Sequence, residues 1–232
     1  MFKVSKFTKS FSKLLAATSF ALCVLCFAFP LTAFAEEAEG ISFDGLKSVD
    51  DSVVYMAYID PEADFSVFQR VMILDPFVSF TSDWQSDQNR NRRRNINAND
   101  MERIKTDTAN LFREVFTEQL EAAGYEVVNQ ADYDVLLLRP AIIDLNITAP
   151  DTRTAGRSTT FTATAGAATL YIELFDSVSG TIIGRAADRK AARNTASMSW
   201  SNRVTNRQEA SRMFRGWADT LVAFLDKHYM KK

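Results

Sequence analysis

A long amphipathic segment, residues 101–123, constrains the fold more than any other feature of this sequence. Its apolar residues recur at three- and four-residue spacing and therefore share one face of a helix. They are Met101, Ile104, Leu111, Phe112, Val115, Phe116, Leu120 and Ala123, with Thr108 on the same face. Asn99 or Asp100 is the predicted N-cap. Gly124 is expected to end the helix, because glycine adopts the left-handed conformation at little cost.

This apolar stripe predicts a helix that lies on a sheet. A free amphipathic membrane helix is the alternative, but such helices favour polar faces rich in lysine and arginine. The polar face of this segment carries both signs of charge. A helix covering one face of a sheet is therefore the preferred interpretation.

Short apolar runs on both sides of this helix predict strands. Residues 71–80 are interrupted by Pro76, which indicates an edge position or a bulge, and Pro140 predicts a bulge or bend after residues 135–138. The clearest hairpin joins residues 168–175 to residues 181–192. A second amphipathic helix is predicted over residues 210–229. Together these elements predict an α+β fold, with a mostly antiparallel sheet and two amphipathic helices packed on one face.

The first 35 residues have the composition of a secretory signal. Its basic start contains four lysines: Lys3, Lys6, Lys9 and Lys13. An apolar run follows over residues 14–29, and the small-x-small pattern that signal peptidase cuts ends at Ala35. Cleavage after Ala35 would leave a single globular domain, residues 36–232. An uncleaved inner-membrane anchor is the alternative, although this run is shorter than the about 20 residues of a typical span.

Both cysteines, Cys23 and Cys26, lie inside the apolar run. Each follows a leucine where a lipoprotein peptidase requires a small residue, so a lipid anchor is not expected. The mature chain would then be periplasmic or secreted and would contain no disulfide. Thiol catalysis and cysteine-based zinc sites are excluded for the same reason.

Charge argues against nucleic-acid binding by the mature domain. Loss of the four signal lysines from the 27 basic residues leaves 23 against 29 acidic residues, a net charge of −6. A nucleic-acid-binding domain usually carries a basic footprint. The one basic cluster consists of Arg90, Arg92, Arg93 and Arg94.

The arginine cluster has three interpretations: a solvated linker, a contact with an anionic envelope surface or protein partner, and a nucleic-acid site. Only Trp84 is close enough to provide the aromatic stacking that single-stranded nucleic acid favours. Nearby acidic residues, Asp83, Asp87, Asp100 and Glu102, partly neutralise the cluster. Arg153 and Arg157 are further candidate binding residues. Their segment, rich in threonine and alanine, suits either a glycan or peptide site or, preferably, an exposed loop that runs into a sheet edge.

Candidate catalytic and metal-binding residues are few. His228 is the single histidine and is expected to be a solvated residue near a helix C-terminus. Asp132 and Asp134 could hold a hard cation, but turn formation before a buried strand explains them better. The sequence contains no phosphate loop, nucleophile elbow or zinc-protease motif. We therefore predict no catalytic residue, no metal and no cofactor.

Several longer stretches resemble one bacterial family, domain of unknown function 3313. The resemblance covers roughly residues 44–226 and is carried by VMILDPFVSF, EAAGYEVV, ADYDVLLLRPAIIDLNITAPD, AGAATLYIELFDSVSGTIIGRAADR and WADTLVAFLD. It implies a secreted or lipoprotein-like envelope protein. It brings no substrate, cofactor or catalytic residue. The lipid anchor of many members is not carried over, because the N-terminus lacks the required site.

The preferred functional hypothesis is a non-enzymatic binding or interaction module of the cell envelope. A small-ligand carrier is the first alternative and would show as an apolar cavity between sheet and helices. A carboxylate-dependent hydrolase or transferase is the second. It would require Asp132, Asp144, Asp176 or Asp188 to meet in one pocket.

Overall fold

Ten strands and three α-helices form the described part of the chain, which in this computed structural model covers residues 41–50, 52–90, 95–147, 160–162, 166–191, 199–201 and 203–229. In chain order the elements are β1 (Lys47–Ser48), β2 (Met56–Ile59), β3 (Arg70–Ile73), β4 (Phe77–Phe80), α1 (Trp84–Asn89), α2 (Ala98–Ala122), β5 (Glu126–Val128), β6 (Val135–Ile147), β7 (Thr160–Thr162), β8 (Gly166–Asp176), β9 (Ile182–Ala191), β10 (Ser199–Ser201) and α3 (Arg203–Tyr229). The predicted signal and its cleavage site after Ala35 lie outside the described residues.

Eight of the strands form one sheet in the order β1-β2-β9-β8-β6-β3-β5, with β4 pairing to β6 beyond the end of β3. The pairs β3–β5, β3–β6 and β4–β6 are parallel, and the others in this sheet are antiparallel. Strands β7 and β10 form a separate antiparallel pair. The predicted α+β class with a mostly antiparallel sheet is confirmed.

Two prolines shape the middle of the sheet. Residues 71–80 do not form one strand, because the chain breaks at residues 74–76 and resumes as β4. Pro140 lies within β6 opposite that break, since β3 pairs only as far as Leu138 and β4 begins at Ala141. A missing N–H is tolerated at this position because no parallel partner faces it. The predicted bulge at Pro140 is wrong; the register of β6 shifts between residues 143 and 146, where Asp144 has a φ of 51°.

Helix α2 begins one turn earlier than its apolar stripe suggested. Asn97 is the N-cap, not Asn99 or Asp100. The Asn97 side chain accepts the N–H of Asp100 at 3.0 Å, and the Asp100 carboxylate accepts the N–H of Asn97 at 3.2 Å. This is a capping box, which satisfies two N–H groups that the helix cannot. Gly124 follows the end of α2 with a φ of 92°, as predicted.

Helices α2 and α3 cover the same face of the sheet, which confirms the predicted layering. The buried aromatic side chains between them include Phe112, which stacks on Phe116 at 3.9 Å and meets the edge of Phe214 at 5.5 Å between ring centroids. Beneath the helices lie buried residues of four strands: Val71, Ile73, Leu136, Leu138, Ile142, Leu170, Ile172, Leu174 and Ile183. Helix α3 starts at Arg203, earlier than the predicted residue 210.

Candidate functional site

A cavity of about 630 Å³ lies between α3 and the end of the sheet formed by β2, β9 and β8. Its walls include Leu170, Ile172 and Leu174 from β8 and Trp217, Leu221 and Phe224 from α3. The volume falls within the range of about 300–1,000 Å³ that small-molecule sites occupy. This is the feature that the small-ligand hypothesis required.

Small side chains on neighbouring strands create the space. Ala57 of β2 lies directly opposite Ala186 of β9, which lies opposite the buried Ile172 of β8. Residues directly opposite each other point to the same side of a sheet, so both alanines form the floor under α3. Further into the sheet, larger side chains occupy the corresponding positions and close the core.

The wall contributed by α3 is elongated. Trp217, Thr220, Leu221, Phe224 and Lys227 follow helical spacing and all line the cavity. Trp217 and Lys227 are ten positions apart, which is about 15 Å along the helix at 1.5 Å per residue. A mostly apolar space with one long wall suits a chain-like molecule.

One polar cluster lies at the Trp217 end of the cavity. The Trp217 Nε1–H donates a hydrogen bond to Oδ2 of Asp188 at 2.9 Å, and Nζ of Lys190 lies 3.6 Å from the same oxygen. Lys190 also sits over the Trp217 ring, 5.7 Å from its centroid. Of the carboxylates considered for catalysis, only Asp188 lines this cavity.

A second polar cluster, centred on Glu173, lies on the face of the sheet opposite the helices. Arg139, Glu173 and Arg185 are in register on β6, β8 and β9. Glu173 is 7% exposed and accepts hydrogen bonds from Arg139 Nε at 2.6 Å and from the Tyr171 hydroxyl at 3.0 Å. Nε of Arg185 lies 3.6 Å from the same carboxylate, and its guanidinium also pairs with Asp44.

The environment of the Glu173 cluster changes two pKa values. Burial, reinforced by the Glu173 carboxylate, raises the pKa of Tyr171 to about 12, so its hydroxyl remains a donor at neutral pH. A hydrogen bond from Ser42, together with one from Arg185, lowers the pKa of Asp44. All charges of the cluster are internally compensated, which is typical of a structural ion-pair network.

Asp132 and Asp134 bind an arginine. Arg70 donates to Asp132 Oδ2 at 2.7 Å and to Asp134 Oδ2 at 3.0 Å. Both aspartates lie in the short connection, residues 129–134, that takes the chain from β5 past β3 to β6. Parallel strands usually need a dozen or more connecting residues. Arg70, on β3 itself, therefore holds an unusually short crossover in place.

The Arg70 pairs predict a particular acid sensitivity. Hydrogen bonds from Arg70 lower the pKa of both Asp132 and Asp134, so their stabilisation is complete above the unfolded pKa of about 4 and is lost as pH falls below it. Replacing Arg70 with glutamine should lower stability at pH 7 and flatten its decline between about pH 4 and pH 2. Urea denaturation at a series of pH values measures both effects.

A control for this experiment is Arg207→Gln, which removes an exposed ion pair with Glu114 between α3 and α2. It should leave the acid limb of the stability curve unchanged. If stability fell equally steeply at acidic pH with and without Arg70, the pKa values of Asp132 and Asp134 would not depend on Arg70.

The other candidate catalytic residues do not meet. Asp144 lies 3.7 Å from Arg189, and Asp176 accepts the N–H groups of Val178 and Ser179 in the predicted turn. His228 is half-buried, with its ring 4.6 Å from that of Phe224, instead of fully solvated. Within the described residues, no group of three or more His, Cys, Asp or Glu side chains could hold a metal ion.

The arginine cluster begins at the end of a helix that the sequence did not indicate. Residues 84–89 form α1, anchored by Trp84, which stacks on Phe80 at 4.1 Å and donates to the Ile147 carbonyl at 3.0 Å. Arg90 is exposed and lies 3.3 Å from Asp87. Arg92, Arg93, Arg94, Arg153 and Arg157 lie outside the described residues.

A family model described as a protein of unknown function, DUF3313, matches residues 38–221. This chain belongs to the DUF3313 family. The resemblance inferred from the sequence is thereby confirmed. No curated protein matches this DUF3313 chain significantly.

The solved structures similar to this DUF3313 protein share little sequence with it. A DUF330 family protein from Xanthomonas campestris has a TM-score of 0.42 at 12% identity, over 68% of this chain and 84% of that one. A PelC dodecamer from Paraburkholderia phytofirmans has a TM-score of 0.36 at 8% identity, over 66% and 89%. A minor lipoprotein from Acinetobacter baumannii has a TM-score of 0.31 at 9% identity, over 69% and 92%. These similarities carry no argument about function.

None of the helices in the described part of this DUF3313 chain has the length and apolar character of a membrane span. Helix α2 instead buries its apolar stripe against the sheet and α3. The predicted alternative of a free membrane helix is therefore wrong for this segment.

Proposed function

We propose that this protein is a non-enzymatic binding protein of the bacterial cell envelope, and that it holds a small ligand with one apolar chain. The cavity under α3 carries this proposal, because its lining is mostly apolar and its shape is elongated. The signal-like first 35 residues support the location. The separation of the four candidate carboxylates supports a binding function over a hydrolytic one.

The size of the cavity sets the expected affinity. About ten buried methylene groups would contribute about 8 kcal/mol before the cost of association, at about 0.8 kcal/mol for each group. Association costs at least about 4 kcal/mol, so burial of the chain alone corresponds to dissociation constants of about 1 mM or weaker. Such affinities suit reversible binding of a ligand that is passed on.

Displacement of a fluorescent dye tests the proposal. N-phenylnaphthylamine, which fluoresces when it leaves water, should bind the folded protein with one site per chain, and decanol should displace it. Trp217 lines the cavity, so energy transfer from tryptophan to the dye should weaken in a Trp217→Phe variant. A dye signal no greater than that of an unrelated folded protein would contradict the proposal.

Docking to an anionic envelope surface through the arginine cluster is a second candidate function. The observation that favours it is a set of side-chain hydrogen bonds to Ile96, which follows the cluster in the sequence. The Asn89 side chain exchanges two hydrogen bonds with the Ile96 backbone, at 2.7 and 3.1 Å, and Gln85 donates a third at 2.9 Å. Because Ile96 is itself buried, these hydrogen bonds hold residues 89 and 96, on either side of the arginines, in fixed positions.

Replacing Arg90, Arg92, Arg93 and Arg94 with glutamine should abolish salt-sensitive binding to vesicles that contain anionic lipid. Each basic residue near such a surface contributes about 1 kcal/mol, so the four together would account for most of the attraction. Vesicle sedimentation at low and high salt measures it. Zwitterionic vesicles are the control, and an unchanged melting temperature shows that the fold is retained. Equal sedimentation of both proteins with anionic vesicles would reduce the cluster to a solvated loop.

A further inference from the structure

The polar cluster at the Trp217 end of the cavity indicates which head group the ligand carries in addition to its apolar chain. Asp188 lies two residues from Ala186 on β9, so its side chain belongs to the face of the sheet that α3 covers. Its side chain is 18% exposed. A carboxylate at the end of an otherwise apolar space must be compensated by polar partners, because burying it without them is costly.

Within the described ranges, only one of the two Asp188 oxygens has such partners. Oδ2 receives both the Trp217 N–H and the contact with Lys190. Among the residues that the structure describes, none donates a hydrogen bond to Oδ1. This oxygen is therefore available to a ligand in the cavity.

The charges around this oxygen discriminate between head groups. A carboxylate head would be repelled by Asp188 and could not donate to it. An ammonium head could donate, but it would lie beside the Lys190 ammonium, which already neutralises Asp188. An uncharged hydroxyl can donate to Oδ1 without adding a charge to the pair.

We infer that the ligand has an uncharged, hydroxyl-bearing head group, as in a long-chain alcohol or a monoacylglycerol, and that Asp188 accepts the hydrogen bond of that hydroxyl. This inference rests on the proposed function and names the ligand class for the same cavity. Asp188 is the specificity-determining residue, and Lys190 and Trp217 position it.

Three ligands of equal chain length provide the test: decanol, decanoate and decylamine, each displacing N-phenylnaphthylamine at pH 7. The unaltered protein should bind decanol at least about tenfold more tightly than either charged ligand, because each charged head meets a like charge, Asp188 or Lys190, at this end of the cavity. Asp188→Asn retains an acceptor for Trp217 but removes the charge. It should weaken decanol binding and bring decanoate to within a few-fold of it.

The control is Glu114→Gln, because Glu114 is an exposed carboxylate that does not line the cavity. It should leave the order of the three ligands unchanged. Binding of all three ligands with equal affinity would overturn the inference while leaving the proposed function intact. Failure of all three to displace the dye would instead count against the proposed function. If Asp188→Asn does not fold, the order measured on the unaltered protein still decides the question.

Discussion

Replacing Ala186 with leucine should lower the affinity for decanol at least about tenfold and leave the fold intact. The added side chain would project from the floor of the cavity towards α3 and occupy space that the ligand needs. Loss of two or more methylene contacts at about 0.8 kcal/mol each corresponds to at least a tenfold change. Filling an existing space should also keep or raise the melting temperature. Dye displacement and thermal unfolding measure the two effects.

Ala57→Leu provides an independent version of the same experiment from the neighbouring strand. The matched control is Ala141→Leu, which adds the same group to the opposite face of the sheet, next to the core-facing Ile142. Ligand affinity should fall in both cavity variants and be unchanged in the control. Cavity variants that fold normally and still bind decanol with full affinity would place the ligand elsewhere.

Replacing Glu173 with alanine should destabilise the protein by about 3 kcal/mol, which is the usual cost of removing one partner of a buried ion pair. Arg185 would then lose one of its two carboxylate partners while only 13% of its side chain is exposed, and the Tyr171 hydroxyl would lose its acceptor. Arg139 is 58% exposed and can be solvated by water, so it adds little to this cost. The midpoint of urea denaturation, at an unchanged slope, measures the loss.

Glu114→Gln is the matched control, because Glu114 makes an ion pair with Arg207 in which both side chains are more than half exposed. Its loss should change stability by less than about 1 kcal/mol. Ligand binding should change little in folded Glu173→Ala, since Glu173 faces away from α3 and, of its cluster, Arg185 alone lines the cavity. A loss of binding at full stability would mean that the ligand depends on the Glu173 cluster.

Patterns within a short stretch of sequence predicted the fold well. The stripe on α2, the glycine that ends it and the β8–β9 hairpin depend on residues that are close along the chain. Some local details were nevertheless wrong or missed, and two of them show why. Asn97 caps α2 because the helix extends a turn beyond its apolar stripe, and Trp84 supports α1 through contacts with Phe80 and Ile147 that no periodicity reveals.

The sequence predicted the kind of site, an apolar cavity, but not the residues that form it. An apolar cavity between sheet and helix was one of the stated alternatives, but its floor joins Ala57 to Ala186, which are far apart in the sequence and become neighbours only through strand pairing. The link between Asp188 and Trp217 arises in the same way, across a strand and a helix. Asp132 and Asp134 were interpreted as turn residues because Arg70, which binds both, is more than sixty residues away.

The floor of the cavity lies beside the end of the sheet, and this affects how a ligand could exchange. Strand β2 is held to β9 by four residue pairs, and beyond it only the two residues of β1 continue the sheet. Elements with so few hydrogen bonds open locally far more often than a whole domain unfolds. Fraying of the β1–β2 edge would therefore uncover the floor without disturbing the packing of α2 on α3. A ligand held in the cavity would then be released on the timescale of edge opening, while the core remains folded.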